Sequence, residues 1–393
     1  MSILKSRLDI SGFVFYLAIF SYALNLKPIA LNLKFGDVLI SVLFLLFAAK
    51  IFDNAINVFR SYRNGAYAYA VFIFSLLAIG IFSSSPEKHL TGVLQYIFVY
   101  FILVPVILFF VLRNFEMALR AYIFGAIVAA VLTLLFNYFD IVIGSGFLEY
   151  SRTGGAIFKR VGIGGINDFG FIIATAMIMA FILNSRERLT NISFVTLMIF
   201  LSLIIVLTAS RSSLVLLILF FGFIALRGRV VKSLALLFAL ISLVYVSYDY
   251  VDVLKNVGRF TLDLNNVGNR LEQYGIALHM IQDDPFGIGL GSYMEGSITE
   301  HPVHNIFLIL AVEGGLLSSI LFFIFWIILM AASLIKRSNG YVSFAIIFAV
   351  LVYMQTITHV YDRFFWIIIG VALVLTNLTT KESKKLVIDR RPI

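Results

Sequence analysis

The sequence has no cysteine and few charged residues, and each scarcity excludes a class of protein. The absence of Cys from its 393 residues excludes a disulfide framework, an iron–sulfur site and a thiolate zinc site. Charged residues make up 13% of the chain and hydrophobic residues 61%, whereas a soluble domain has about 25% charged residues. This composition indicates an all-α integral membrane protein.

Apolar stretches of membrane-spanning length follow one another along the whole chain, so we expect a single polytopic membrane domain over residues 1–393 with about 12 spans. The run over residues 191–226 is too long for one helix and is expected to divide at Ser210-Arg211. Pro105 is a candidate kink. The predicted spans are 11–26, 36–52, 66–82, 90–112, 118–139, 167–184, 191–209, 212–226, 231–248, 304–334, 341–358 and 360–378.

Positive charge is divided unequally between the two sides that these spans define. If the N-terminus is cytoplasmic, the inner side has 19 of the 30 basic residues and 6 of the 21 acidic residues. The positive-inside rule therefore places both termini in the cytoplasm, and residues 140–166 and 249–303 outside. The net charge of +9 follows from this topology, so we expect no nucleic-acid partner. The first span lacks a small-residue cleavage site, so we expect it to act as a signal anchor.

Several other patterns are missing from the sequence. The two halves do not repeat each other, which argues weakly against a secondary transporter. There is no Asp-x-Asp and no Gly-x-Ser-x-Gly element. Pro302 disfavours the helical conformation that would bring His301 and His304 together on a metal. We therefore expect neither a metal nor a cofactor.

The large extracytoplasmic loop, residues 249–303, contains a predicted amphipathic helix. Asn269 and Glu272 have the spacing of a capping box, and the apolar residues that follow recur at helical spacing as far as Asp283. Such a helix is expected to lie on the outer membrane surface or across the outer opening of the protein. The next segment, 285–291, has a Gly-x-Gly-x-Gly pattern, which predicts a tight turn or, alternatively, a nest of backbone N–H groups that binds an anion.

Candidate substrate contacts cluster on the predicted outer side. Arg211 lies between two spans, where it either snorkels to the interface or grips a phosphate with its planar fork. Arg160 is expected to contact a ligand, because positive charge is otherwise scarce on this side. Asn167 either caps the sixth span or contacts a sugar through its amide.

His304 and Asn305 open the tenth span at the boundary between water and membrane. A histidine there is often an interfacial or capping residue. With an ordinary pKa near 6.5 for the residue type, it is also suited to take a proton from a sugar hydroxyl. Glu313 lies on the opposite side of the helix from His304, and the Glu313-Gly-Gly segment is expected to pack against a neighbouring helix through a paired, buried carboxylate.

Three stretches of the chain carry a family resemblance. They are Thr208-Ala-Ser-Arg-Ser-Ser-Leu214, the segment from Asn269-Arg270 to Gly291, and His304-Asn305 followed by Gly315. Together they resemble the O-antigen ligase/polymerase superfamily of bacterial membrane glycosyltransferases, a multi-span GT-C-like architecture. The family pattern His-Asn-x9-Gly-x-x-Gly is matched except at Ser318, a departure expected to affect helix packing more than chemistry. The first 140 residues match only in hydropathy.

The resemblance implies a metal-independent transfer of sugars from undecaprenyl diphosphate at the outer face of the bacterial inner membrane. Compact outer loops favour a polymerase of O-antigen or capsular repeat units over a ligase that transfers the glycan to lipid A core, and a flippase or other transporter is less expected. Implied partners are the lipid-linked glycan, membrane lipid, a chain-length regulator and a flippase. The implied roles are diphosphate binding for Arg211, Arg270 and Arg160, action on the acceptor hydroxyl for His304, and substrate contact for Asn167, Asn305 and Glu313.

The predicted topology can be tested by labelling, because the chain has no native cysteine. Ser151→Cys and Ser297→Cys should react with a membrane-impermeant maleimide in intact cells, since both positions are expected outside. Ser383→Cys should react only after the cells are permeabilised. Labelling of position 383 alone in intact cells would reverse the predicted orientation.

Overall fold

The computed structural model describes residues 10–24, 34–60, 62–83, 85–139, 151–152, 160–161, 165–208, 210–226, 264–293, 303–335, 340–357 and 362–377. The helices are α1 Ile10–Ala23, α2 Phe35–Arg60, α3 Arg63–Ile79, α4 Pro86–Phe98, α5 Val104–Arg113, α6 Phe115–Tyr138, α7 Gly165–Ser185, α8 Asn191–Thr208, α9 Arg211–Leu226, α10 Leu264–Asp283, α11 Ile306–Ile335, α12 Gly340–Tyr353 and α13 Arg363–Asn377. Two-residue strands β1, Ser151–Arg152, and β2, Arg160–Val161, pair antiparallel.

The predicted all-α integral membrane fold is confirmed. Among the described residues, seven helical segments are long and apolar enough to cross a membrane, and four shorter apolar helices accompany them. These segments correspond to all the predicted spans except the ninth, 231–248, which lies outside the described residues. Most of the two predicted outer loops lies outside them as well. The total of 12 spans stays a prediction.

Two predicted irregularities within the spans are present. The long apolar run divides at the predicted place, because α8 ends at Thr208 and α9 begins at Arg211. Before Pro105 the chain makes a π-helical turn, Val99–Leu103, between α4 and α5. A proline has no N–H to donate to the preceding turn, so an irregular turn is expected there. A kink at Phe47 in α2, with φ −126° and ψ 16°, was not predicted.

The chain divides into two compact units, each made of two separate stretches. The first unit comprises residues 1–48 and 113–268, and the second comprises residues 49–112 and 269–393. A continuous run of sequence therefore does not correspond to either unit. The single domain over 1–393 stays a prediction.

In the first unit, α7 is the central helix and contacts α6, α8 and α9. Its residues Ala174, Ala176 and Ala180 are fully buried, and their small size lets neighbouring helices approach closely. The Tyr122 hydroxyl of α6 hydrogen-bonds Thr175 of α7 at 2.8 Å. In a membrane, small residues and interhelical hydrogen bonds of this kind replace the hydrophobic effect as the forces that join helices.

In the second unit, α11 packs along α3, and aromatic rings fill the space between them. Tyr69 of α3 stacks on Tyr100 with ring centroids 4.4 Å apart and meets Phe325 of α11 edge-on at 5.0 Å. The Ser75 and Ser318 hydroxyls hydrogen-bond each other at 2.7 Å across the same two helices. Ser318, where the chain departs from the family pattern, is therefore used in helix packing, as the sequence predicted.

Helix α10, in the segment predicted to form the large outer loop, differs from its prediction at the start and agrees at the end. It begins at Leu264, so Asn269 lies inside the helix and the predicted capping box is wrong. A local capping pattern could not reveal that the five preceding residues also adopt helical conformation. The helix ends at Asp283, as predicted, two residues before Pro285. Ala277 on one face is buried, whereas Leu271 and Leu278 on another are 64% and 51% exposed.

The segment after α10, residues 285–291, is a tight turn that docks on α11, and we call it the glycine turn. Helix α11 is interrupted at Gly315, where φ is +74° and ψ is 157°. The N–H groups of Ile288 and Gly289 donate to the carbonyls of Val312 and Glu313 at 3.0 and 2.8 Å. The Leu316 N–H, just past the interruption, donates to the Pro285 carbonyl at 3.0 Å.

These bonds decide between the two interpretations of the Gly-x-Gly-x-Gly pattern. The Gly287 N–H donates to the Asp284 carbonyl at 3.2 Å, so three successive N–H groups of the turn already have protein acceptors. An anion nest requires such groups to be free. The segment is therefore a structural turn.

Gly315→Ala should destabilise the protein strongly. A Cβ at this position would overlap the Phe286 carbonyl oxygen, and this combination of positive φ with extended ψ costs a residue other than glycine about 1–3 kcal/mol. We expect the apparent melting temperature in detergent to fall well below that of the wild type. Gly275→Ala is the matched control, because its Cβ would meet nothing within 4 Å on exposed helix α10, where Ala is favoured. Equal melting temperatures for both variants would contradict the importance of the interruption.

Candidate active site

Arg211 is the first residue of α9, and α8 ends three residues earlier at Thr208. The Ser210 carbonyl accepts the Leu214 N–H at 3.2 Å, which closes the first turn of α9. Arg211 is exposed, whereas Ser210, Ser212 and Ser213 around it are buried. The turn therefore holds its backbone rigidly and leaves the guanidinium accessible.

Asn167 contacts Ser212, the residue next to Arg211, in the same unit. The Ser212 hydroxyl donates to the Asn167 Oδ1 at 3.3 Å. Helix α7 begins at Gly165, so Asn167 is inside the first turn, and its prediction as the cap of this span is wrong. Gly165 and Ile166 already have helical conformation, so the helix begins two residues before Asn167. The alternative, a contact with sugar, stays a prediction.

The first turns of α7 and α9 meet at a glycine. A Cβ on Gly170 would lie 2.7 Å from the Ser210 Cβ and would overlap the Ser213 hydroxyl, so only glycine permits this approach. The Ser210 and Ser213 hydroxyls also hydrogen-bond each other at 2.7 Å. The N-terminal ends of two helices, which both carry partial positive charge, thus lie side by side next to Arg211. The first turn of α7 also carries the acidic side chain of Asp168.

Arg160 is described through its backbone. It belongs to β2, pairs with Arg152 of β1, and its strand contacts α6 and α7. Its short strand therefore lies beside the helix that carries Asn167. The predicted contact between its guanidinium and a ligand is not tested and stays a prediction.

Arg270 and His304 are linked through Tyr274 in the second unit. The Tyr274 hydroxyl of α10 donates to the His304 backbone carbonyl at 3.4 Å. Arg270 is exposed and lies four residues, about one helical turn, before Tyr274. The helix that carries the arginine is thus attached to the backbone of the histidine. His304 itself is half-buried, immediately before α11.

Asn305 caps α11. Its Oδ1 accepts the N–H groups of Phe307 and Leu308 at 3.0 and 3.2 Å, and its Nδ2 donates to the Gln355 Oε1 at 2.8 Å. These bonds fix the backbone on which His304 sits. The side-chain oxygen and the side-chain NH₂ group of Asn305 thus both bond protein groups. Its predicted contact with the substrate is not tested by these bonds and stays a prediction.

Glu313 contacts Tyr293, in the segment predicted to form the large outer loop. Its Oε1 accepts the Tyr293 N–H at 3.0 Å, and the side chain is half-buried. The expected pairing of this carboxylate with a neighbouring helix stays a prediction. Its predicted substrate contact stays untested.

The sequence did not point to Tyr274 as a support for His304, to Gln355, or to His89 of α4, which contacts the glycine turn. Their partners are 30, 50 and 201 residues away, respectively, so a local pattern cannot reveal them. Ser212, which contacts Asn167, lies directly after Arg211. Its place in the Arg-Ser-Ser segment was the one sequence feature that could have drawn attention to it.

Within the described part of the chain, no three His, Asp or Glu side chains cluster as a metal site would require.

Residues 195–323 match the model of the O-antigen ligase family. The matched segment is 129 of the 393 residues, and over it the chain is similar to that family. It covers most of α8, all of α9 and α10, and α11 as far as residue 323, with Arg211, Arg270, His304, Asn305 and Glu313. The match supports a glycosyl-transferring function of the ligase/polymerase type. A search of curated proteins gives no significant match.

Arg211 should be required for activity in a way that Arg63 is not. Each is an exposed arginine at the first position of an apolar helix, so Arg63 is a matched control. Arg211→Lys keeps the charge and loses the planar fork, and should slow glycan synthesis about ten- to hundredfold, the value of one strong charge-assisted hydrogen bond. Arg63→Lys should retain nearly wild-type synthesis at equal expression. Wild-type synthesis by Arg211→Ala would show that Arg211 only snorkels.

Proposed function

We propose that the protein is an O-antigen or capsular polysaccharide polymerase that joins undecaprenyl-diphosphate-linked repeat units at the outer face of the bacterial inner membrane. The observation that best supports glycosyl transfer in the second unit is the attachment of the Arg270 helix to the His304 backbone through Tyr274. The helix that carries a candidate cation for a leaving phosphate is thereby attached to the backbone of a candidate base for an acceptor hydroxyl.

The proposed reaction is an inverting displacement. The acceptor sugar hydroxyl attacks the anomeric carbon of the donor glycan, and a new glycosidic bond forms as the bond to the diphosphate breaks. His304 orients the hydroxyl and takes its proton. The departing undecaprenyl diphosphate keeps the bonding electron pair and gains negative charge, which positive groups stabilise.

The proposal assigns diphosphate binding to arginines and no step to a metal. Arg211, Arg270 and Arg160 present planar forks that match phosphate oxygens. In the first unit, the paired N-terminal ends of α7 and α9 add partial positive charge beside Arg211. Asn167, hydrogen-bonded to Ser212, is proposed to contact the glycan from the same place.

A ligase that transfers the finished glycan to lipid A core is the second candidate, because the matched family model describes an O-antigen ligase. The preference for a polymerase rests on the compact predicted outer loops, 140–166 and 249–303. Both activities use the same donor and the same chemistry and differ in the acceptor. A chain-length regulator and a flippase are proposed partners of the polymerase, and both termini are proposed to be cytoplasmic.

The function is tested with purified protein and a synthetic undecaprenyl-diphosphate-linked repeat unit. A polymerase should produce a ladder of lengthening chains on the lipid carrier without any other acceptor. A ligase should produce no ladder and should modify added lipid A core with preformed polymer. Absence of both products would contradict the proposed function.

His304→Ala should lower turnover of this substrate about 10²–10⁴-fold, which is the usual contribution of a general base, while the lipid-linked donor still binds. His301→Ala is the control and should keep most of the activity. Addition of EDTA should leave wild-type activity unchanged. Activity lost in EDTA and restored by magnesium would overturn the metal-free mechanism, and loss of donor binding in His304→Ala would make His304 a positioning group.

A further inference from the structure

His89 of α4 makes a hydrogen bond on each side of its ring, and both partners are backbone groups. Its Nδ1 is 2.9 Å from the Leu290 backbone N, and its Nε2 is 2.8 Å from the Leu76 carbonyl oxygen. An amide N–H only donates and a carbonyl only accepts, so Nδ1 is the acceptor and Nε2 carries the hydrogen. The side chain is 3% exposed. His89 is therefore a neutral bridge between α3 and the glycine turn.

The surroundings of His89 are shaped to receive the glycine turn. A Cβ on Gly80 would lie 2.9 Å from the His89 ring, and a Cβ on Gly92 would lie 3.0 Å from the Leu290 side chain. A Cβ on Gly289 would overlap the Ser83 hydroxyl. The end of α3 and the start of α4 thus form a fitted surface against the turn.

The glycine turn connects the two candidate catalytic elements of this unit. Helix α10, with Arg270, leads into it, and Tyr293 just after it is bound by Glu313 of α11. Its backbone bonds to Val312 and Glu313 attach it to α11, the helix that His304 precedes. The bond to His89 is its attachment to a third helix, outside the 195–323 segment that matches the family model.

We propose that His89 is a positioning residue for glycosyl transfer: it fixes the glycine turn and thereby the placement of the Arg270 helix relative to His304. This inference rests on the proposed function for its effect on turnover. The ring does not act on the substrate. It accepts the backbone N–H of Leu290, which directly follows the two N–H groups of the turn that bind α11.

Two amide substitutions separate the two bonds of the ring. His89→Asn places an oxygen near the position of Nδ1, so it can still accept the Leu290 N–H but cannot reach the Leu76 carbonyl. His89→Gln places its amide near the position of Nε2, so it can still donate to Leu76 but leaves Leu290 without an acceptor. If positioning of the turn matters, Asn should rescue function and Gln should not.

The expected result is a loss of kcat in His89→Gln of about ten- to hundredfold, comparable to the effect of a small misplacement of catalytic groups, with KM little changed. His89→Asn should stay within a few-fold of the wild type. Thr91→Ala, on the exposed side of the same helix, is the control for general damage to α4 and should behave as the wild type. Melting temperatures of all variants should be compared in the same detergent.

Amide hydrogen exchange gives a readout that does not depend on activity. Exchange in a peptide covering residues 288–293 should be faster in His89→Gln than in the wild type and near wild type in His89→Asn. Equal exchange and equal kcat in both variants, or a better rescue by Gln, would overturn the positioning role. If exchange responds as expected while neither His304→Ala nor Arg270→Ala affects synthesis, the proposed function fails and the attachment through His89 stands.

Discussion

The backbone hydrogen bonds between the glycine turn and the interrupted helix α11 are the constraint on which the second unit depends. In a continuous helix the Val312 carbonyl would accept the Leu316 N–H. At Gly315 the helix is interrupted, so Val312 accepts from Ile288 and Leu316 donates to Pro285 instead. An unpaired backbone group inside a membrane protein costs several kcal/mol, so the interruption and the turn require each other.

This mutual requirement holds the segments next to the two candidate residues, Arg270 and His304. The part of α11 next to His304 is fixed at its start by the Asn305 cap and the bond to Gln355, and at its interruption by the glycine turn. Helix α10 is attached to His304 through Tyr274 and continues into the same turn. Arg270 therefore lies on a helix, and His304 precedes a helix, that are both held by the backbone hydrogen bonds of the glycine turn.

The first unit uses a different device, the close approach of two helix N-termini. Gly170 lets α7 meet the serine-rich start of α9, and the Ser212–Asn167 hydrogen bond joins the two. Arg211 is left exposed beside them. The partial positive charge of two helix ends and the acidic Asp168 of α7 thus lie beside Arg211.

The sequence by itself determined the membrane class, eleven helical segments at predicted spans, the break at Ser210-Arg211 and the end of α10. Hydropathy, capping residues and prolines act within a few residues, so their consequences are local. Tertiary structure alone decided the interruption at Gly315, the partner of Glu313 and the roles of Tyr274 and His89. These depend on backbone groups brought together from distant parts of the chain, and a backbone amide has the same chemistry at nearly every position.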